Sequence, residues 1–218
     1  MAPTPWTFGV EPLDQTIAAA RLLRQVAELV LSIEDRDPAA DRLLMDLKAA
    51  TTELAARVPP SPTPRIGDAA PSDGRVYIDH ARNVGAFNPC FPEYTITVDG
   101  DGATGTVTFP LVYEGPPGLV HGGFLGVFFD CVMQHHNCDA GVAGKTTSLA
   151  LRYRRPTPLL TPLRFTLIRT VDDDNRRITS TGQLLADDEL LCEAEMRAVI
   201  GDRTRLPAVS PRRTGAPS

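Results

Sequence analysis

The sequence lacks three features that define broad classes of protein. It has no run of about 18 apolar residues, which excludes a membrane-spanning helix. Its first residues, MAPTPWTFGVEPLDQ, have no basic segment followed by an apolar one, so we expect no secretory signal and a cytoplasmic location. It has no excess of basic residues: the net charge is −5 and the pI is near 5.4, which argues against binding to nucleic acid or an anionic membrane surface.

Cysteine is scarce, and no CxxC motif occurs. Disulfide frameworks are typical of short, cysteine-rich secreted chains, so we interpret Cys90, Cys131, Cys138 and Cys192 as buried reduced thiols. The rest of the composition is that of a globular protein, with 42% hydrophobic and 22% charged residues among 218. That length suits one core of about 130–150 residues with appended segments.

Proline is abundant, and its positions divide the chain. Five of the 20 prolines lie within 59–71, PPSPTPRIGDAAP, and none lies between Gly118 and Arg155. We therefore predict an N-terminal helical arm at 1–58, a Pro-rich linker at 59–75, a folded domain at 76–201 and a flexible basic tail at 202–218.

The arm is predicted to form two amphipathic helices, an αα-hairpin. Asp14 is a candidate N-cap for the first helix, and Asp37 followed by proline starts the second. Their apolar faces require cover from the core or a second subunit, so we interpret the arm as an oligomerisation or lid element rather than an independent binding module. The apolar positions are Leu22, Val26, Leu29 and Ile33 in the first helix and Leu43, Leu47, Ala50, Leu54 and Val58 in the second.

After residue 76 the pattern changes to strand, strand, helix and then four strands. Residues 94–98 and 104–109 alternate around an Asp-Gly turn and predict a hairpin. The proline-free segment LVHGGFLGVFFDCVMQHHNCDAG predicts one helix, and strand-length segments follow at 146–155, 163–171, 176–186 and 189–200. An antiparallel meander can bury a single apolar helix only by curling around it, so the predicted fold class is α+β.

Residues of this segment resemble one family. Val120-His121-Gly122-Gly123, an acid nine residues after the histidine at Asp130, Thr146, and the Tyr-Arg-Arg-Pro at 153–156 are similar to the hotdog-fold acyl-CoA thioesterases of the phenylacetate-pathway (PaaI-like) type. The resemblance covers about residues 76–200 and implies a hotdog fold, an antiparallel sheet curled around one central helix. It also implies a homodimer or dimer of dimers that hydrolyses acyl-CoA to CoA and a carboxylic acid, with no metal or redox cofactor.

Asp130 lies in the middle of the predicted helix, where an acid is costly unless it is solvated, partnered or functional. The resemblance implies that Asp130 is the nucleophile or the general base for water. Gln134 and Asn137 are candidate substrate-binding residues on the same face. At 100° per residue, this small or polar face consists of Gly123, Gly126, Asp130, Gln134 and Asn137.

The glycines begin the predicted helix, where backbone N–H groups are unpaired and the macrodipole is positive. We expect the Gly122 and Gly123 N–H groups to hold the oxyanion of a thioester. Asp130 lies about 10 Å along the axis from Gly123, and the resemblance implies a dimer in which the glycine end of one subunit faces the acid of the other. It also implies that His121 braces this loop or bonds near the carbonyl, and that Thr146 helps to hold water or the acid.

One position departs from the family pattern. Some relatives have an asparagine six residues before the histidine, where Gly115 stands, and Asn88 is a candidate replacement. Arg152, Arg154 and Arg155 are candidate contacts for the phosphates of CoA, because guanidinium groups suit phosphate.

Other interpretations use the same residues. Asp130 and His135 have the spacing found in hotdog enoyl-CoA hydratases, but an i,i+5 pair on one helix diverges by about 140°. A zinc site at Cys131, His135 and Cys138 lacks a fourth ligand, and the same face carries phenylalanines suited to the core. A hotdog enoyl- or hydroxyacyl-CoA hydratase and a non-catalytic acyl-CoA-binding regulatory module remain alternatives.

Overall fold

The computed structural model describes residues 10–65, 74–78, 82–142, 144–172, 174 and 176–200. The predicted tail lies outside the described residues. The helices are α1 (Asp14–Leu31), α2 (Pro38–Ala55), α3 (Val84–Phe87) and α4 (Gly122–Asp139), with a 3-10 turn at Leu111–Tyr113. The strands are β1 (Ser61–Arg65), β2 (Gly74–Val76), β3 (Tyr94–Asp99), β4 (Gly102–Val107), β5 (Gly144–Tyr153), β6 (Leu163–Val171), β7 (Arg177–Ala186) and β8 (Glu189–Ile200).

Six strands form one antiparallel sheet in the order β3-β4-β6-β7-β8-β5. The predicted β3–β4 hairpin and the run from β6 to β8 are confirmed. The predicted simple meander is wrong for β5, which pairs with β8, because the chain crosses the sheet through α4 after leaving β4. The sheet therefore ends in two edge strands, β3 and β5.

The central helix α4 packs on one face of this sheet, against β5, β6, β7 and β8, which confirms the predicted α+β class. Gly182 of β7 allows the close approach, since a Cβ there would lie 2.9 Å from the side chains of Met133 and Phe129. Phe128 forms edge-to-face contacts with the rings of Phe109 and Phe165. The buried residues of α4 are Leu125, Phe128, Phe129, Val132, Met133, His136, Asn137 and Cys138.

Helix α1 docks on the core through a charged residue. Arg24 is 6% exposed and donates from Nη1 to the carbonyl oxygens of Asn88 and Phe91, at 2.9 and 3.3 Å. Its Nη2 donates to Glu93 Oε1 at 2.7 Å. Ala20 is buried one turn earlier, so the docked face of α1 is not the predicted apolar stripe.

The two arm helices begin differently. Asp37 caps α2 as predicted, because its carboxylate accepts from the Ala39 N–H at 2.7 Å. The predicted cap Asp14 is wrong: Leu13 takes the cap position, and Asp14 lies in the first turn, where the helix dipole favours a negative charge. The segment predicted as a linker includes β1, which pairs in parallel with β2. In the described part of the chain, no helix combines the length and apolarity needed to cross a membrane.

Candidate active site

Asp130 is partly buried on α4 and contacts the edge strand β5. Thr146 Oγ1 donates to Asp130 Oδ1 at 2.7 Å, and Gln134 Nε2 donates to Thr146 Oγ1 at 2.9 Å. These bonds fix the carboxylate, and a bond to a charged acceptor is stronger than a neutral one. The other carboxylate oxygen, Oδ2, receives no hydrogen bond from any described residue. The carboxylate is thus oriented through Oδ1, while Oδ2 is available to a substrate or a water molecule.

A β-bulge in β5 places the Thr146 hydroxyl beside this acid. Thr146 and Tyr153 both contact α4 although they are seven residues apart, and strict alternation along a strand would turn them to opposite faces. The pairing with β8 shifts between Thr146 and Ser148, which leaves Thr147 as an extra residue in β5. The bulge therefore aims Thr146 at the helix.

Helix α4 begins at the predicted glycines, with His121 as its N-cap. The Gly123 N–H donates to His121 Nδ1 at 3.1 Å, which requires a neutral ring with its proton on Nε2. Tyr153 donates its hydroxyl to the Gly122 carbonyl at 3.0 Å, a bracing role that the sequence did not reveal. The Gly122 N–H has no acceptor within the described ranges. At the positive end of α4, the Gly122 N–H is thus available to a ligand, whereas the Gly123 N–H is hydrogen-bonded to His121.

The exposed face of α4 is apolar between its glycine end and its acid. Val127 is 52% exposed, one turn after Gly123 and one turn before Asp130. Phe124 is also exposed, and its ring packs edge to face on Tyr113 with the centroids 4.9 Å apart. The stripe therefore combines an N–H donor, an exposed apolar patch and a carboxylate, and this combination suits a carbonyl compound with an apolar substituent.

Two predicted site residues lie elsewhere. Asn137 has nearly the same helical angle as Asp130 but is fully buried, and its Oδ1 accepts from Ser180 Oγ at 3.3 Å. The predicted exposed face therefore ends before Asn137, because β7 covers the last turn of α4. Asn88 Oδ1 accepts from the Cys90 N–H at 2.9 Å in the loop after α3, and its side chain makes no hydrogen bond to α4 within the described residues.

The three candidate phosphate ligands differ in their present partners. Arg154 Nε donates to Glu193 Oε2 at 2.7 Å, and Arg155 Nε donates to Glu189 Oε1 at 3.1 Å. Arg152 is exposed and forms no ion pair with a described residue. Exposed ion pairs are weak and exchange easily, so all three guanidinium groups remain accessible to an anionic ligand.

Gly115 lies directly against His121. A Cβ at position 115 would be 2.8 Å from His121 Cα and 3.0 Å from its Cβ. Only glycine fits here without moving one of the two segments, so this geometry has no room for the asparagine that some relatives have.

His135 does not converge on Asp130, in agreement with the predicted divergence. Its Nδ1 lies 2.7 Å from the Tyr94 hydroxyl on β3, whereas Asp130 contacts β5 at the opposite edge of the sheet. Burial lowers the pKa of His135. Across the described ranges, no group of three His, Cys, Asp or Glu residues is placed to hold a metal ion.

Cys131, next to the acid in sequence, is an unsuitable nucleophile. Burial, together with the charge of Asp130, raises the pKa of Cys131 to about 12, so the thiol stays protonated near neutral pH. The prediction that all four cysteines are buried is wrong for Cys90, which is exposed, and for Cys131, which is only partly buried; it is confirmed for Cys138 and Cys192.

Known proteins match this chain by structure. No protein-family model and no curated protein matches the sequence. A solved thioesterase superfamily protein matches the fold with a TM-score of 0.69 and 28% identity, over 89% of this chain and 100% of that chain. The predicted hotdog fold is confirmed, and the structural neighbours are thioesterase superfamily proteins, including the PaaI type.

Two further solved structures match about half of the chain. A hypothetical thioesterase from Streptococcus pneumoniae, solved with coenzyme A, matches 51% of this chain and 91% of its own at 18% identity and TM-score 0.46. The E. coli PaaI protein from the phenylacetic acid degradation operon matches 49% of this chain and 82% of its own at 15% identity and TM-score 0.45. The first of these alignments covers 89% of this chain, and the remaining 11% is shorter than the arm. That alignment therefore includes part of the N-terminal helices.

Proposed function

We propose that this protein is an acyl-CoA thioesterase, which hydrolyses an acyl-CoA thioester to free CoA and a carboxylic acid. The observation that carries this proposal is the Asp130 carboxylate, oriented by Thr146 on an exposed stripe of α4 that begins at Gly122. The similarity to a thioesterase superfamily protein over 89% of this chain supports the same reaction class.

The thioester carbonyl is bound at the glycine end of α4. The Gly122 N–H stabilises the negative charge that develops on the carbonyl oxygen, an effect of about 3 kcal/mol per donor in well-studied oxyanion holes. The Gly123 N–H becomes a second donor when the His121 ring turns away from it. Val127 and Phe124 cover the apolar acyl group.

Asp130 activates the attack on the carbonyl carbon. As a general base, its open oxygen takes a proton from water while the water oxygen adds to the carbonyl carbon; the tetrahedral intermediate then expels the CoA thiolate, which takes up a proton. As a nucleophile, the same oxygen adds directly, the thiolate leaves, and water hydrolyses the mixed anhydride. Turnover in ¹⁸O-labelled water distinguishes the two routes, because only the nucleophilic route places label in the Asp130 carboxylate.

Two subunits build each site in this proposal. Gly123 and Asp130 of one α4 are seven residues, or about 10 Å, apart along the helix, too far to act on one carbonyl. The edge strand β5 has one side without a strand partner in the described chain, and the exposed stripe of α4 lies beside it. A two-fold dimer joined through β5 would set the glycine end of one subunit opposite the acid of the other. Arg152, with Arg154 and Arg155 after exchange of their glutamate partners, would hold the CoA phosphates.

Release of free thiol from short, medium, long and aryl acyl-CoAs tests the proposal. Asp130→Asn keeps the shape of the side chain and removes its charge, and we expect kcat to fall at least a hundredfold, about 3 kcal/mol of barrier. Asp139→Asn is the matched control, because Asp139 is an exposed acid at the other end of the same helix. Equal losses in both variants contradict the assigned role of Asp130.

The substrate panel also separates the alternatives. Acyl-CoA that binds without any thiol release indicates a binding module. Conversion of an enoyl-CoA to a hydroxyacyl-CoA without thiol release indicates a hydratase. Either result rejects the thioesterase proposal.

A further inference from the structure

The N-terminal arm has two apolar stripes without cover. Helix α1 packs on the core with the face that contains Arg24, while its opposite face points away from the core. No residue of α2 is buried, and α2 does not pack along α1. The large apolar side chains of these two outer stripes are 40–66% exposed: Leu22 and Leu29 in α1 with Ile33 just beyond it, and Leu47 and Leu54 in α2 with Val58 just beyond it.

Such stripes require a partner for physical reasons. A single helix of 18 residues gains most of its stability from packing its apolar face. Monomeric proteins rarely expose contiguous apolar patches larger than a few hundred Å². No charged residue interrupts either stripe, and the four acids and four bases within residues 36–57 balance, so self-association meets no net repulsion. The acids of α2 are Asp41, Asp46 and Glu53, and its bases are Arg42 and Lys48, with Arg57 just beyond.

We propose that α2 packs on the outer face of α1 in a second copy of this chain, so that two chains exchange arms reciprocally. Both halves of this interface lie on the same chain, and both helices have 18 residues, so a two-fold axis covers all four stripes at once. The loop 32–37 is centred between residues 34 and 35, and an exchange in the register of an antiparallel hairpin sets Leu22 opposite Leu47. The structure holds α2 away from its own α1, and the pairing forms between chains.

The anchoring of α1 makes this surface suitable for docking. Arg24 fixes α1 to the core through three hydrogen bonds, so the outer stripe is presented on a rigid support. Helix α1 also packs on the 3-10 turn that ends at Tyr113. The carbonyl oxygen of Tyr113 accepts from the backbone N–H of His121 at 2.8 Å. The exchanged arm is thereby linked to the start of α4.

Cross-linking between two chains that each carry one introduced cysteine tests the exchange. In a Cys90→Ser background, one chain carries Leu22→Cys and the other carries Leu47→Cys. The two are refolded together, treated with a short bismaleimide and analysed by mass spectrometry. We expect a covalent dimer that joins position 22 of one chain to position 47 of the other.

Met45→Cys is the matched control, because Met45 is exposed on the side of α2 opposite Leu47, and it should give at least tenfold less product. A chain with both Leu22→Cys and Leu47→Cys tests the closed hairpin. A link within that chain, with none between chains that carry one introduced cysteine each, overturns the proposal. Absence of any link also overturns it.

Sedimentation measurements supply a second test that needs no cysteine. Leu54→Asp places a charge within the stripe and should raise the dissociation constant for self-association at least tenfold, while Met45→Asp should leave it unchanged. Equal association of Leu54→Asp and the wild type contradicts the exchange. Neither test uses thiol release, so the result is independent of the proposed thioesterase activity.

Discussion

Replacing Arg24 by methionine tests how the arm is attached. The variant keeps an apolar stem and removes the guanidinium, which leaves the carbonyl oxygens of Asn88 and Phe91 without this donor. Breaking a buried ion pair costs about 3–5 kcal/mol. The Glu93 side chain is 47% exposed and regains water, so we expect the lower end of that range, about 3 kcal/mol.

Arg21 supplies the matched control, because it bonds the same Glu93 oxygen at 3.0 Å while its side chain is 61% exposed. Arg21→Met should cost at most about 1 kcal/mol, as exposed ion pairs do. Urea unfolding followed by circular dichroism, at one fixed chain concentration, measures both losses. Hydrogen exchange should show faster exchange of α1 in Arg24→Met alone. Equal losses in the two variants would refute the assignment of Arg24 as the anchor.

The same pair predicts a dependence on pH. Burial acts to raise the pKa of Glu93, but hydrogen bonds and charges from Arg21 and Arg24 outweigh it and hold that pKa below its usual value. A carboxyl with a lowered pKa stabilises the fold above its unfolded pKa, and this contribution is lost as pH falls through the folded pKa. The difference in unfolding free energy between wild type and Arg24→Met should therefore be largest above about pH 5 and shrink in more acidic solution.

Three further predictions concern α4 and its surroundings. Thr146→Ala should lower kcat for thiol release about tenfold by removing one hydrogen bond of about 1.4 kcal/mol to Asp130, and Thr146→Ser should restore it; failure of the rescue would contradict the role of the hydroxyl. Gly115→Ala should destabilise the fold by about 1–3 kcal/mol in urea, since its Cβ would press on His121; an unchanged midpoint would contradict the close packing. Burial, together with the charge of Arg169, lowers the pKa of His136 from its usual 6.5. The wild type should therefore lose stability as pH falls below 6.5. In unfolding titrations, His136→Phe should show a smaller loss of unfolding free energy over the same pH range.

Local patterns predicted the elements of the core but not all of their neighbours. The β3–β4 hairpin, α4 and the strands from β6 to β8 follow from turn residues and periodicity, which act over a few residues. The position of β5 beside β8 depends on a crossover, and no local signal in the sequence specifies where the crossing strand pairs. Proximity in sequence thus predicted the wrong neighbour for β5.

Periodicity did not identify the face of α1 that docks on the core. The stripe of large aliphatic residues, including Leu22 and Leu29, indicated burial, whereas the core covers Ala20 and Arg24. A small residue and a long side chain with an apolar stem can fill such a contact as well as leucines do. The burial of Arg24 depends on carbonyl groups more than 60 residues away, which no pattern within the helix could reveal.

The candidate site was predictable where it depends on residue type and helical angle. The acid, the glycines and the neighbouring Gln134 lie together on α4 because of the helical repeat. Asn137 is not on the exposed face with these residues because β7 covers the end of the helix. Position 115 has no room for a side chain because it packs against His121. Contacts between distant segments decide both cases.

The extra residue Thr147 relates the spacing of two side chains to the regularity of their strand. With the bulge, the seven-residue interval from Thr146 to Tyr153 places both side chains towards α4, whereas a regular strand does so only when the interval is even. Deleting Thr147 alone should therefore remove the bulge and still leave the Thr146 hydroxyl directed at α4. Among related genes that keep both residues directed at α4, an odd interval between them should accompany a bulged strand and an even interval a regular one.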